Sequence, residues 1–101
     1  MNDATVSELE AKHGPILSLE SEFGEAAFRV PTAVEWQRFI DELADAETRG
    51  RAARNLVVAC RVHPSAEDFI ALIGSRPGLV QAFGNQLTDF AGLKKVEIRK
   101  K

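Results

Sequence analysis

The hydrophobic period of this chain changes at Pro31, and that change limits the folds open to it. Between Ile16 and Val30 the period is two: Leu17 and Leu19 alternate with Ser18 and Glu20, and Ala26, Phe28 and Val30 alternate with Ala27 and Arg29. This is the pattern of strands with one buried face, and the turn-like segment 21–24 between the two runs predicts an antiparallel hairpin over 15–30. After Pro31 the period is helical. Thr32 and Glu35 stand at capping-box spacing, and Trp36, Phe39, Ile40 and Leu43 follow at i, i+3, i+4 and i+7. A two-stranded hairpin is marginal in water by itself, so it has to lay one face on helices. Both of its edges are expected to stay unpaired unless a partner or a second copy covers them.

The remaining boundaries follow from caps and breakers. Thr5 and Glu8, with Gly14-Pro15 as a stop, predict a short helix within 1–14, lightly packed through Val6 and Leu9 or frayed. After the helix over 32–46, Gly50 opens a third helix whose Ala53, Leu56, Val57 and Cys60 share one face and whose end is set near 63 by His63-Pro64. Ser65, with Asp68 three residues on, caps a fourth helix over 65–75 with Phe69, Ile70 and Ile73 as its buried stripe. Pro77 starts a fifth over 77–92, with Val80, Phe83, Leu87, Phe90 and Ala91 inward and Gly92 at its end. The expected fold is therefore mainly α, of the α+β class: an N-terminal β-hairpin packed on a small bundle of about four helices, one domain over 15–92. The basic tail 93–101 is expected to be disordered.

Length and charge narrow the function classes. A chain of 101 residues that is 45% hydrophobic has material for one core. With a net charge of -2 it has no overall attraction for phosphate backbones or anionic lipid, so neither nucleic acid nor membrane is an expected partner. The single cysteine, Cys60, excludes an internal disulfide and suits a reducing compartment. The first residues carry Asp3, Glu8 and Glu10 and no apolar run, unlike a signal peptide. A soluble protein inside the cell is the expectation.

No constellation for catalysis stands out, and the chain is read as a non-enzyme without cofactor or metal. Cys60 and His63 are three apart, but Cys60 falls on an apolar helical face and His63 at a helix end, where an imidazole meets free carbonyls. A zinc site needs about four ligands, and the other histidine, His13, lies in a separate segment. Ser65 is better explained as a cap than as a nucleophile. The fourth and fifth helices, with the turn 74–78 between them, admit a helix-turn-helix reading in which Gln81, Asn85 and Gln86 meet bases. Against it, the stretch 79–91 contains no lysine or arginine and does contain Asp89.

Candidate protein-binding residues lie on the third helix. On a helical wheel Val58 and Val62 stand opposite the Leu56, Val57 and Cys60 face, beside Arg51, Arg54 and Arg61. A helix apolar on both sides is either central in its domain or apolar towards a partner, and valines rimmed by arginines suit a protein interface. Trp36 is the only tryptophan, a plug between hairpin and helices or an exposed anchor.

The order of segments resembles the small tail assembly chaperones of tailed bacteriophages and prophages. The resemblance rests on Glu10-Ala11-Lys12-His13-Gly14, Phe28-Arg29-Val30-Pro31-Thr32, Glu35-Trp36-Gln37-Arg38-Phe39, Val62-His63-Pro64-Ser65 and Arg76-Pro77-Gly78-Leu79, and covers about positions 10 to 92. It implies a helical protein of the host bacterial cytoplasm that self-associates, coats the tape-measure protein, helps it nucleate the tail tube and is not retained in the virion. Many proteins of that family also occur in a longer frameshifted form, and the codons of Lys94-Lys95 and Lys100-Lys101 would be the candidate slippery sites here. No ATP-binding motif is visible, so release of the client would fall to competition by the tail-tube protein. The alternatives are a minor structural or connector protein of a phage particle and, in another class, a small helix-turn-helix regulator.

Overall fold

A computed structural model describes residues 1–92; the expectation for the tail 93–101 concerns residues outside that range. The fold is α+β, with five helices and a three-stranded antiparallel sheet among the described residues. Helix α1 is Asp3–His13. Its cap is Asn2 and not Thr5: Asn2 Oδ1 accepts from the Thr5 backbone N–H and from Thr5 Oγ1, both at 2.9 Å. Two capping residues stand close together there, and the earlier one gains the helix a further turn. Gly14, at φ 81°, ends it by donating its N–H to the Glu10 carbonyl at 2.9 Å.

Strands β1 (Ile16–Ser21) and β2 (Gly24–Arg29) form the expected hairpin. Ser21 Oγ organises the turn, accepting from the N–H groups of Phe23 (3.2 Å) and Gly24 (3.1 Å). At Gly24, with φ 154°, a Cβ would stand 3.2 Å from a methyl of Leu72, so the hairpin end presses on a later helix and glycine keeps the room for it. The register puts Leu17 opposite Phe28 and Leu19 opposite Ala26 on one face, and Ile16, Ser18 and Glu20 opposite Arg29, Ala27 and Glu25 on the other. The first face meets the core. Ala27, fully buried yet outside that core cluster, belongs to the second, where α1 packs and Met1 places its amino group on Glu25.

Helix α2 (Ala33–Ala44) and a 3-10 turn (Arg49–Arg51) lead into α3 (Ala52–Cys60). The helix expected to reach 63 stops at Cys60. Arg61–His63 forms β3, antiparallel to β2, in the order β1-β2-β3. Val62 continues the apolar spacing of the helix before it, so periodicity does not mark the change; what favours the strand is the second edge of β2, whose free N–H and C=O groups β3 satisfies. That edge, expected to be open, is paired. The outer edge of β1 has no strand beside it among the described residues.

Helices α4 (Ala66–Ser75) and α5 (Leu79–Phe90) complete the fold. Ser65 caps α4 as expected, its Oγ accepting from the Asp68 N–H at 3.3 Å. Ile70, expected inside, is 39% exposed, while Phe69 and Ile73 are buried. The four helices after the hairpin are arranged around α3, which packs on α2, α4, α5 and β2, and do not form a bundle standing beside the sheet. At the centre Phe28 meets Phe69 edge-on at 5.8 Å and Phe83 at 5.7 Å, with Phe69 and Phe83 stacked at 6.2 Å. Burying each such ring contributes about 1.5–3 kcal/mol.

Candidate protein-binding surface

Helix α2 is fixed by polar contacts at both ends and by little apolar burial between them. At its start the expected capping box is present: the Glu35 N–H donates to Thr32 Oγ1 at 3.1 Å and the Thr32 N–H to Glu35 Oε1 at 2.9 Å. Arg29, from the end of β2, holds the same carboxylate with both terminal nitrogens at 2.7 and 2.8 Å and also reaches the Ala59 carbonyl at 3.0 Å. One side-chain pair thus joins the sheet, α2 and the end of α3. The Arg29 guanidinium, helped by the Thr32 N–H, outweighs partial burial and holds the Glu35 carboxyl down to about 2. At the other end Asn55 Nδ2 donates to Glu42 Oε2 at 2.7 Å and Arg49 Nε to the Leu43 carbonyl at 2.8 Å.

Between these anchors Phe39 is the single buried side chain of α2. Trp36 is half-buried, its ring 5.3 Å from that of Phe39. Ile40 and Leu43, which continue the stripe, remain 41% and 38% exposed. The apolar stripe spans a wider arc than the contact with α3 covers, so its outer margin faces solvent. Val34, on another side of the helix, is 72% exposed.

The residues singled out from the sequence do not form one patch. Arg51 closes the 3-10 turn and Arg54 lies on α3, both exposed; Val58 is half-buried and packs on the core cluster. Val62 and Arg61 are on β3, so the helical face that was to unite them with Val58 does not exist. The β2–β3 pairing matches Ala27 with His63 and Phe28 with Arg61, leaving Val62 as the extra residue. Arg61 turns inward and donates to the Pro64 carbonyl at 2.8 Å. Trp36 sits apart on α2. Ile40 and Leu43 are not among the candidate residues taken from the sequence, because a periodic stripe shows which residues are apolar and not how much of the stripe a neighbour covers.

The break at Cys60 also separates the candidate chemical pair. Cys60 is fully buried in the core cluster, and burial, with the nearby Glu35 charge, pushes its thiol up to about 11, so it is held as a neutral packing group. His63 instead lies on β3 with Nε2 3.8 Å from Glu25 Oε1. Among the described residues no group of three or more His, Cys, Asp and Glu is placed to hold a metal ion, and no helix is long and apolar enough to cross a membrane.

Residues 9–100 match the family described as a domain of unknown function, DUF6848. The chain belongs to the DUF6848 family. The DUF6848 match begins within α1 and takes in the whole sheet and α2 to α5. The structure is similar to that of the uncharacterised protein rbstp2171 from Bacillus stearothermophilus, at a TM-score of 0.76 and 25% identity, over 93% of this chain and 98% of the other. No curated protein matches the chain.

Proposed function

We propose that this DUF6848 member is a tail assembly chaperone of a tailed bacteriophage or prophage, which binds the tape-measure protein in the host bacterial cytoplasm during assembly and leaves before the virion is complete. The observation that carries the binding role is the margin of α2, where Ile40 and Leu43 extend one helical stripe beyond the part that α3 covers. A long client with an amphipathic helical repeat is the complement of such a margin, since a second helix laid beside α2 buries apolar residues at i, i+3, i+4 and i+7. The assignment to tails comes from the sequence resemblance, and the exposed stripe supplies it with a place to hold a client.

Co-expression with the tape-measure protein of the same phage or prophage, followed by pull-down on a tag at this chain, tests the reading. Retention of the long protein by the wild type and its loss from the double variant Ile40→Ser/Leu43→Ser, with an unchanged circular dichroism spectrum, is the expected result. If the wild type retains no such client, the chaperone reading fails; if the double variant retains it equally, the contact does not lie on α2.

A further inference from the structure

The outer edge of β1 is a second exposed feature, and its sequence is complementary to itself. The strand Ile16–Ser21 has β2 on one side and no strand on the other among the described residues. Basic residues Lys12 and His13 close the helix that precedes it, and acidic residues Glu20 and Glu22 stand at its far end. All four are exposed, the Glu20 side chain by 79%. Two such edges meeting head to tail bring each acidic end to the basic end of the other copy.

We propose that two copies of this chain pair antiparallel through β1, around a two-fold axis at Ser18, to make one continuous six-stranded sheet. Symmetry and pleat limit the register to one centred on a residue, and charge disfavours a centre on Glu20. Residues directly opposite in an antiparallel pair point to the same face, so a two-fold axis between identical strands admits only registers that match odd positions with odd and even with even. Centring on position 20 would set Glu20 against Glu20, like charges directly opposed. Centring on Ser18 pairs Leu17 with Leu19 twice and Ile16 with Glu20 twice, and leaves Glu22 beside the Lys12 and His13 of the other copy.

The two sides of the edge are open to this arrangement. On the face that carries α1, Ala27 is buried while Ser18, its neighbour on β1, is exposed, so the helix leaves the axis position clear. Beside the strand runs an open groove whose apolar part is lined by Leu19, Leu79, Ala82 and Phe83 and whose polar part is lined by Glu20, Asn85 and Gln86. Leu17 of the second copy, opposite Leu19, stands at the mouth of that groove. The pairing rests on the sheet edge and does not depend on the identity of any client.

Sedimentation of the full chain tests it, with a dimer mass expected that falls to the monomer on dilution. Ser18→Cys should give a covalent dimer under mild oxidation, since paired Cα atoms at about 4.5–5.5 Å lie within disulfide reach, whereas Ser75→Cys should not. Cys60 is buried and does not compete. Ser18→Lys, which sets two ammonium groups face to face on an exposed position, should weaken the dimer at least about tenfold with the fold unchanged. A wild type that stays monomeric at high concentration overturns the proposal. So does a dimer that survives Ser18→Lys, or one whose Ser18→Cys form crosslinks no better than the Ser75→Cys control.

Discussion

Where β2, α4 and α5 meet, three phenyl rings interlock, and Phe28, Phe69 and Phe83 are at most 3% exposed. Where α3 meets α2, Phe39 is buried, Trp36 is half-buried beside it, and the ends are held by polar contacts: Arg29–Glu35 at one end, Asn55–Glu42 and Arg49–Leu43 at the other. The first junction draws its strength from apolar area that nothing else can use. The second fixes the position of a helix while leaving its apolar margin uncovered. A domain that must both stay folded and offer an apolar surface has reason to separate the two tasks in this way, because charge-assisted hydrogen bonds set geometry without consuming the stripe.

The sharpest way to break the comparison is at the ring cluster. Phe69→Ala removes a fully buried ring that contacts both other phenylalanines and should destabilise the domain by about 3–5 kcal/mol, a large share of the stability of a chain this size. Urea unfolding followed by circular dichroism measures it. A loss below about 1 kcal/mol would mean that the centre of stability lies elsewhere.

The polar junction should cost less and should be visible in its pH dependence. Glu35→Gln leaves Arg29 half-buried without its counter-charge and is expected to lose about 2 kcal/mol at neutral pH. The folded state holds the Glu35 carboxyl near 2, below its ordinary value of 4.5, so its contribution is fully present above 4.5 and disappears as the pH falls through 2. The stability gap between wild type and Glu35→Gln should therefore be constant from pH 7 to about 5 and close between 4.5 and 2. A gap that stays open at low pH would show that shape, not charge, holds α2.

Much of this division could be read from the sequence, but not where the two halves part. Thr32 with Glu35 and Ser65 with Asp68 announced two helix starts, because a cap is a local bond between residues close in the chain. The hairpin and the buried face of α3 were legible for the same reason, each being one period repeated. Strand β3 was not, since three residues carry no period, and Arg61–His63 becomes a strand only because the edge of β2 arrives beside it. The candidate surface suffered twice from this. The strand took Val62 and Arg61 off the helical face assigned to them, and the exposure of Ile40 and Leu43 depends on how far α3 extends across α2, which is a property of the packed pair.

The smallest effect expected is at the place where the two junctions approach each other. Gly84, in the middle of α5, lines a cleft with Phe39 of α2 and Ala53 and Leu56 of α3. A Cβ there would meet Ala53 Cβ at 3.6 Å and Val57 Cγ1 at 4.0 Å, which is ordinary contact and not overlap. Glycine inside a helix costs about 0.5–1 kcal/mol relative to alanine, through the backbone freedom it gives the unfolded chain. Gly84→Ala should therefore stabilise the domain by that amount, read as an increase in the urea midpoint with an unchanged slope. Phe39 touches the same cleft, so the gain also reports how α2 sits. If the methyl group fits, the α3–α5 pair has slack on the side facing α2, and the polar clips, not close packing, set the position of α2. If Gly84→Ala destabilises instead, the two halves are packed more tightly together than the exposed stripe implies, and α2 belongs to the core more than to the surface.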